Sequence, residues 1–259
     1  MTQPIRLVPW RCSRRPVACA LVLSLLGELG GCASGPNRNP ADPLEPLNRA
    51  TYRFNDVVDR TIARPVARTY NAVVPRPVRT GVDNVFSNLG DFTVMLNDFA
   101  QLRVMNGMND LMRFAINSTF GIFGLLDIAT PAGIPKRHQD FGLTLAHYGV
   151  PSGPYLVLPL FGPSTFRDTA GLGVDQYASL IRQFDVDWRN SLWGLDFVST
   201  RARYLNASNL MEDAALDKYL FTRDGYLGRR RSQVEKGVDA PPPPRVPQRP
   251  EAPPPPPRP

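Results

Sequence analysis

Leu47, Ala50, Phe54, Val57, Val58 and Ile62 recur at intervals that keep them on one helix face, with Asn48, Arg49, Asn55, Asp56 and Asp59 on the other. Pro65 and Pro75 bracket a second, shorter helix carrying Val66, Tyr70 and Val73. Val78, Val82, Val85, Phe86 and Leu89 predict a third helix that stops at Gly90. Asp91 is placed to cap a fourth, carrying Phe92, Met95, Leu96, Phe99 and Leu102. Residues 109–120 continue in this manner, and helical spacing returns over 165–177, 191–205 and 213–227. Tyr155–Leu158, framed by Gly153-Pro154 and Pro159, reads as a strand in a short hairpin arm. The pattern predicts a mainly α body without internal repeats.

Two stretches stand apart. Residues 114–126, FAINSTFGIFGLL, hold no charge and contain two glycines. They are shorter than the roughly 20 residues that cross a bilayer. Residues 153–163, GPYLVLPLFGP, have the same character. A buried core helix with a loop would give the first composition. An interfacial element, its backbone satisfied internally, would give both.

The ends change the charge picture. The whole chain carries a formal charge of +7, but residues 32–222 hold 18 basic and 18 acidic side chains. A nucleic-acid-binding fold needs a basic surface on its folded part, and this middle has no such excess. Arg6, Arg11, Arg14 and Arg15 precede the uncharged stretch 17–27, VACALVLSLLG, which reads as a signal peptide. Leu29-Gly30-Gly31-Cys32 follows and is similar to a bacterial lipobox, so Cys32 is the expected lipid-attachment residue. Ala33 after it, where an aspartate would favour inner-membrane retention, implies the outer membrane. The expected segments are a signal peptide over 1–31, a lipidated tether over 32–41, a folded domain over 42–229 and a disordered Pro-rich tail over 230–259. Of 28 prolines, 12 lie in the last 20 positions.

Candidate chemistry is sparse. Cys12, Cys19 and Cys32 are the only cysteines, so a cysteine metal site or disulfide framework beyond residue 32 is excluded. His138 and His147, nine residues apart, match no metal-binding spacing and read as ordinary surface or core histidines. No serine sits in a Gly-x-Ser-x-Gly elbow, and there is no P-loop. Lys136, Arg137, His138 and Asp140 read as a solvated loop. No catalytic residue, cofactor or metal is expected.

Ordered motifs carry a resemblance. They begin with Asp42-Pro43-Leu44-Glu45-Pro46-Leu47-Asn48-Arg49, followed by Phe54-Asn55, Asp59 and Arg113-Phe114-Ala115-Ile116-Asn117. Gly121, Gly124, Asp127 and Ala129 precede Asp140-Phe141-Gly142-Leu143-Thr144-Leu145 and Tyr148-Gly149-Val150. Gly153-Pro154-Tyr155, Leu158-Pro159-Leu160, Gly162-Pro163-Ser164-Thr165 and Arg167-Asp168 close the block. With these the chain resembles the VacJ/MlaA family of outer-membrane phospholipid-transport lipoproteins. The resemblance implies a single helical, ring-like domain partly embedded in the membrane, anchored on the periplasmic face through its lipid. Its implied work is to remove mislocalised phospholipids from the outer leaflet of the outer membrane and pass them to a periplasmic carrier, with trimeric porins holding it in place. Arg113, Arg167 and Asp168 are expected to be fold-holding ion pairs more than headgroup ligands. A structural lipoprotein that binds porin or cell wall without moving lipid is the alternative.

Overall fold

The structure is a computed structural model that describes residues 42–208 and 215–235. The expectations on Cys32, on segments 1–31 and 32–41, and on most of the tail lie outside the described residues. The described chain is mainly α with one small sheet: α1 (Glu45–Val58), a π turn (Asp59–Ala63), α2 (Arg64–Val73), α3 (Arg76–Ala100), α4 (Val104–Thr119) and α5 (Phe141–His147). The hairpin β1 (Tyr155–Leu158) and β2 (Gly162–Thr165) follows, then α6 (Phe166–Ala178), a short 3-10 turn, α7 (Val186–Arg203) and α8 (Lys218–Glu235). No described helix is long and apolar enough to cross a membrane.

Several boundaries differ from the sequence pattern. Pro65 does not separate two independent helices, because the wide turn Asp59–Ala63 leads directly into α2, with Pro65 in its first turn. There the missing N–H removes no needed bond. Gly90 and Asp91 do not end one helix and start another, since α3 runs through both. A glycine inside a helix costs only about 1 kcal/mol, and the Asp91 carboxylate is drawn into tertiary ion pairs instead of capping. The end of α3 comes before Leu102, which takes φ +59 while Arg103 N–H bonds the Asp98 carbonyl, a Schellman-type close. α5 lacks a counterpart in the sequence pattern; Asp140 caps it by accepting from Leu143 N–H at 2.9 Å. The folded body also does not stop at Arg229, because α8 continues to Glu235 with Arg230 buried on it.

The hairpin pairs Tyr155 with Thr165 and Leu158 with Gly162 in an antiparallel register. Two asparagines of α1, seven residues apart, act as a surrogate strand for its open edge. Asn48 donates to the Tyr155 carbonyl at 3.0 Å and accepts from Val157 N–H at 2.9 Å. Two turns on, Asn55 donates to the Leu158 carbonyl at 2.9 Å and accepts from Leu160 N–H at 2.8 Å. A sheet edge left bare would be a pairing hazard; here side-chain amides satisfy it.

Apolar clusters are small. Ala67, Ala202 and Leu205 with Tyr70 join α2 to α7, and Tyr155, Val157 and Tyr219 with Tyr52 and Leu227 join the hairpin to α8. α5 and α6 meet at glycines, where a Cβ on Gly171 would lie 2.3 Å from the Gly142 nitrogen. Val94, Met95, Leu143 and Ile181 are also buried, but polar and charged residues outnumber the apolar ones in the described interior. Arg230 binds Asp140 at 2.6 Å and Asp168 at 2.6 Å, so one guanidinium ties α8 to the starts of α5 and α6. Arg167 and the Tyr226 hydroxyl complete the shell of Asp168.

Burial alone would push the Asp168 carboxyl up, but the bonds from Arg230 and Tyr226 and the charges of Arg230 and Arg167 hold it down to about 2. Because the folded value lies below the unfolded value of about 3.9, the stabilisation is fully present above about pH 4 and is lost as pH falls through about 2. Arg230→Met should cost about 3–5 kcal/mol at pH 7, the range for breaking a buried pair from one side. It should also make the decline of stability between pH 4 and 2 shallower. Thermal melts of both proteins across that range check this; parallel declines would contradict it.

Candidate functional site

The charged side chains at the centre come from α3, α4 and the segment between α4 and α5. Arg113, 2 % exposed, donates from Nε to Asp91 at 2.9 Å and from Nη2 to Asp127 at 2.9 Å. Its Nη1 reaches Thr130 Oγ1 and the Ile134 carbonyl, each at 2.9 Å. Lys136 closes the network by donating to Asp91 at 2.6 Å and to Ser87 Oγ at 2.5 Å. Asn117 accepts from the N–H groups of Ile128 and Ala129 at 2.9 Å each. One turn apart on α4, Asp110 is pushed up to about 7 by burial and by its bond with Asp98, with Arg137 at 3.5 Å opposing. Arg113, Arg167 and Asp168 therefore stand in ion pairs, as the sequence leads one to expect, although Asp91 lies inside a helix and not at a helix end.

α4 is amphipathic in an inverted sense. Gly107, Asp110, Arg113 and Asn117 are its buried residues, while Val104, Met105, Met108, Leu111 and Met112 are exposed. The loop after it continues the apolar exterior with Phe120, Ile122, Phe123 and Leu126. Phe123 is 84 % exposed, which removes the buried-core reading of 114–126. Ile122, Phe123 and Gly124 all take positive φ, and the loop's backbone is tied internally, Gly124 N–H to Asn117 O at 2.8 Å and Leu126 N–H to Gly121 O at 2.9 Å. Such satisfaction is what an apolar loop needs where water is excluded. The second uncharged stretch divides: Tyr155 and Val157 turn inward, and Leu160 and Phe161 are exposed at the hairpin tip.

A cavity of about 390 Å³, lined mostly by polar residues, opens between α3, α6, α7 and the segment that leads into α5. α3 contributes Asp83, Phe86, Gly90 and Thr93 to it, and α7 contributes Asp196, Thr200 and Arg203. Asp175 of α6 and the run Lys136, His138, Gln139 and Asp140 complete the wall. A Cβ on Gly90 would meet nothing within 4 Å, so its missing side chain leaves room in the cavity wall. Burial pushes the carboxyls of Asp175 and Asp196 up and the His138 imidazole down. A smaller cavity of about 190 Å³ lies beside Asp59, which Arg201 and Arg64 grip at 2.5 and 2.7 Å.

The structure corrects the sequence reading of 136–140. This segment is not a solvated loop: Lys136 is spent on Asp91, Arg137 on Asp110 and Asp140 on Arg230, and His138 faces the cavity. His147 stays outside it, edge-on to Tyr148. Asp175, Asp196 and Arg203 were not singled out by the sequence, since each sits alone among ordinary helical residues. Arg230 had a signal, because Tyr219, Arg223, Tyr226 and Arg230 are spaced four, three and four apart along one inward face of α8.

Residues 40–233 match the family model described as MlaA lipoprotein. The intermembrane phospholipid transport system lipoprotein MlaA of Escherichia coli (strain K12) is 37% identical over 208 residues, covering 78% of this chain and 82% of the relative. The protein of the same name from Haemophilus influenzae is 31% identical over 221 residues, covering 81% and 87%. A solved structure described as the structural basis for maintenance of bacterial outer membrane lipid asymmetry is similar with a TM-score of 0.65 and 35% identity. That match covers 74% of this chain and 97% of the solved one.

Phe123→Asp should weaken binding of the body, without acyl chains, to liposomes by about 2–4 kcal/mol, the cost of a carboxylate in hydrocarbon. Because Phe123 is exposed, its melting should move by no more than about 0.5 kcal/mol. Liposome flotation alongside a thermal melt checks both; flotation equal to that of the unsubstituted body would contradict the lipid seat.

Proposed function

The chain belongs to the MlaA lipoprotein family, and from that premise we propose that it removes mislocalised phospholipid from the outer leaflet of the outer membrane and passes it toward the periplasm, maintaining lipid asymmetry. Its acylated Cys32 anchors it on the periplasmic face, trimeric porin holds the body in place, and a soluble periplasmic carrier receives the lipid.

One observation carries this reading: an open cavity lined mostly by polar residues, in a body that exposes an apolar helix face and loop. A phospholipid cannot move its headgroup through hydrocarbon without losing its hydration, and an unmatched polar group there costs roughly 2–7 kcal/mol. Carboxylates, hydroxyls and the guanidinium of Arg203 supply replacement partners along the wall. Acyl tails, meanwhile, can stay against Met108, Met112 and Phe123, outside the cavity. No covalent bond needs to form or break, so the protein acts as a passage and not as an enzyme. Direction comes from the stronger hold of the carrier, since a passage with equal affinity for both ends shifts no equilibrium.

Deleting the protein should expose phospholipid at the cell surface and sensitise cells to detergent with EDTA. Cys32→Ala should reproduce that phenotype, with the protein unacylated and either unprocessed or soluble in the periplasm. Surface labelling of phospholipid amines in the three strains decides it. A deletion strain with normal outer-leaflet asymmetry would contradict transport and leave a scaffolding lipoprotein.

A further inference from the structure

The charges around the 390 Å³ cavity do not balance. Two of its charged wall residues are already used, Lys136 by Asp91 and Asp140 by Arg230. Three carboxylates remain, held by neutral donors. Asp175 accepts from Asn97 Nδ2 and Phe141 N–H, both at 2.9 Å, Asp196 from the Thr200 hydroxyl at 3.5 Å, and Asp83 from the Ser199 hydroxyl. Among the described residues, none of these three forms a salt bridge. Burial disfavours the charged form of Asp196, Arg203 offsets this in part, and Asp83 adds to it. Arg203 is the remaining cation of the wall, and it too forms no salt bridge among the described residues; its guanidinium stacks 5.3 Å from the Tyr204 ring. The wall thus offers one cationic group and three carboxylates on a cavity whose volume is within the range of about 300–1,000 Å³ common for small-ligand pockets.

A zwitterion with a phosphate at one end and an ammonium at the other matches that distribution. We propose that the cavity selects phospholipids whose headgroup carries a primary ammonium, the phosphate facing Arg203 and the ammonium received by Asp83, Asp175 and Asp196. This rests on the reading of the cavity as the headgroup path. An anionic glycerol headgroup would add negative charge to a wall already negative and would bring no cation to relieve the Asp83–Asp196 repulsion. A choline headgroup carries the positive charge without N–H donors and is held best by aromatic cages. Phe86 is the single Phe, Tyr or Trp of this wall. A primary ammonium brings three donors to carboxylates that now accept only from neutral groups.

The test uses the full acylated protein in detergent, incubated with mixed micelles of equal phosphatidylethanolamine, phosphatidylglycerol and phosphatidylcholine. Bound lipid is recovered and counted by mass spectrometry. The ethanolamine lipid should be retained about tenfold over the glycerol lipid, the factor a single partly screened charge contact supplies. The double variant Asp83→Asn/Asp196→Asn keeps its acceptors for Ser199 and Thr200, and should bring that ratio toward one by lowering retention of the ethanolamine lipid. Gly90→Trp, which projects into the cavity, should lower total bound lipid. Equal retention of the three lipids, or preference for the glycerol lipid, by a protein whose lipid is displaced in Gly90→Trp overturns the selection alone. Bound lipid unchanged in amount and kind by Gly90→Trp overturns the path on which the selection rests.

Discussion

Arg113 and Asp91 meet at 2.9 Å where both side chains are only 2 % exposed, and the arrangement of the surrounding elements follows from that pair. A lone buried charge costs several kcal/mol, so neither residue can enter the interior without the other. Asp91 sits in the middle of α3 and Arg113 in the middle of α4, which fixes how the two helices face each other. The remaining valences recruit the next segments: Arg113 reaches Asp127, Thr130 and Ile134 in the loop, and Lys136 closes on Asp91 from beyond it. The loop that follows α4 is thereby held by charge and amide bonds, while its apolar side chains are left to face outward. The Arg230 contacts repeat the device at the other end of the body, joining α8 to Asp140 and Asp168.

An interior organised by polar contacts inverts the usual relation between burial and hydrophobicity. In a water-soluble domain, burying apolar area is the dominant favourable term. Here the apolar face of α4 and the loop beyond it are exposed, and the buried set is rich in Asp, Asn and Arg. Exposed apolar residues gathered on one helix face and the loop beyond it are the kind of surface that serves membrane or protein contacts. The polar cavity lies elsewhere, between α3, α6, α7 and the segment 136–140, where polar side chains of these elements face one another.

The helices themselves were legible wherever an apolar face repeats at helical spacing, as in α1 with Leu47, Phe54 and Val57. The sense of that face was not. Periodicity gives the direction in which Met105, Met108 and Met112 point relative to Arg113, but not which of the two directions is inside. Local rules also misled at Gly90-Asp91, which has the composition of a helix stop and start; the partner that overrides it, Arg113, lies 22 residues away. Cavity residues were the hardest to see. Asp83, Asp175 and Asp196 come from three helices, and nothing in the local sequence of any one of them announces the other two. Arg230 falls just beyond the stretch of family resemblance, which ends at Arg229, although its place on the Tyr219–Tyr226 face is readable in the spacing.

The central claim is that water occupies the inside of this body and lipid the outside. No cysteine lies beyond Cys32, so single cysteines can be placed cleanly in the acylated protein reconstituted in bilayers. Spin labels at Thr93 and Thr200, on the cavity wall, and at Met108 and Met112, on the exterior, report accessibility to a polar relaxant and to oxygen. The account predicts that the polar relaxant reaches positions 93 and 200 while oxygen dominates at 108 and 112. Polar access at 108 and 112 together with a dry cavity would contradict it.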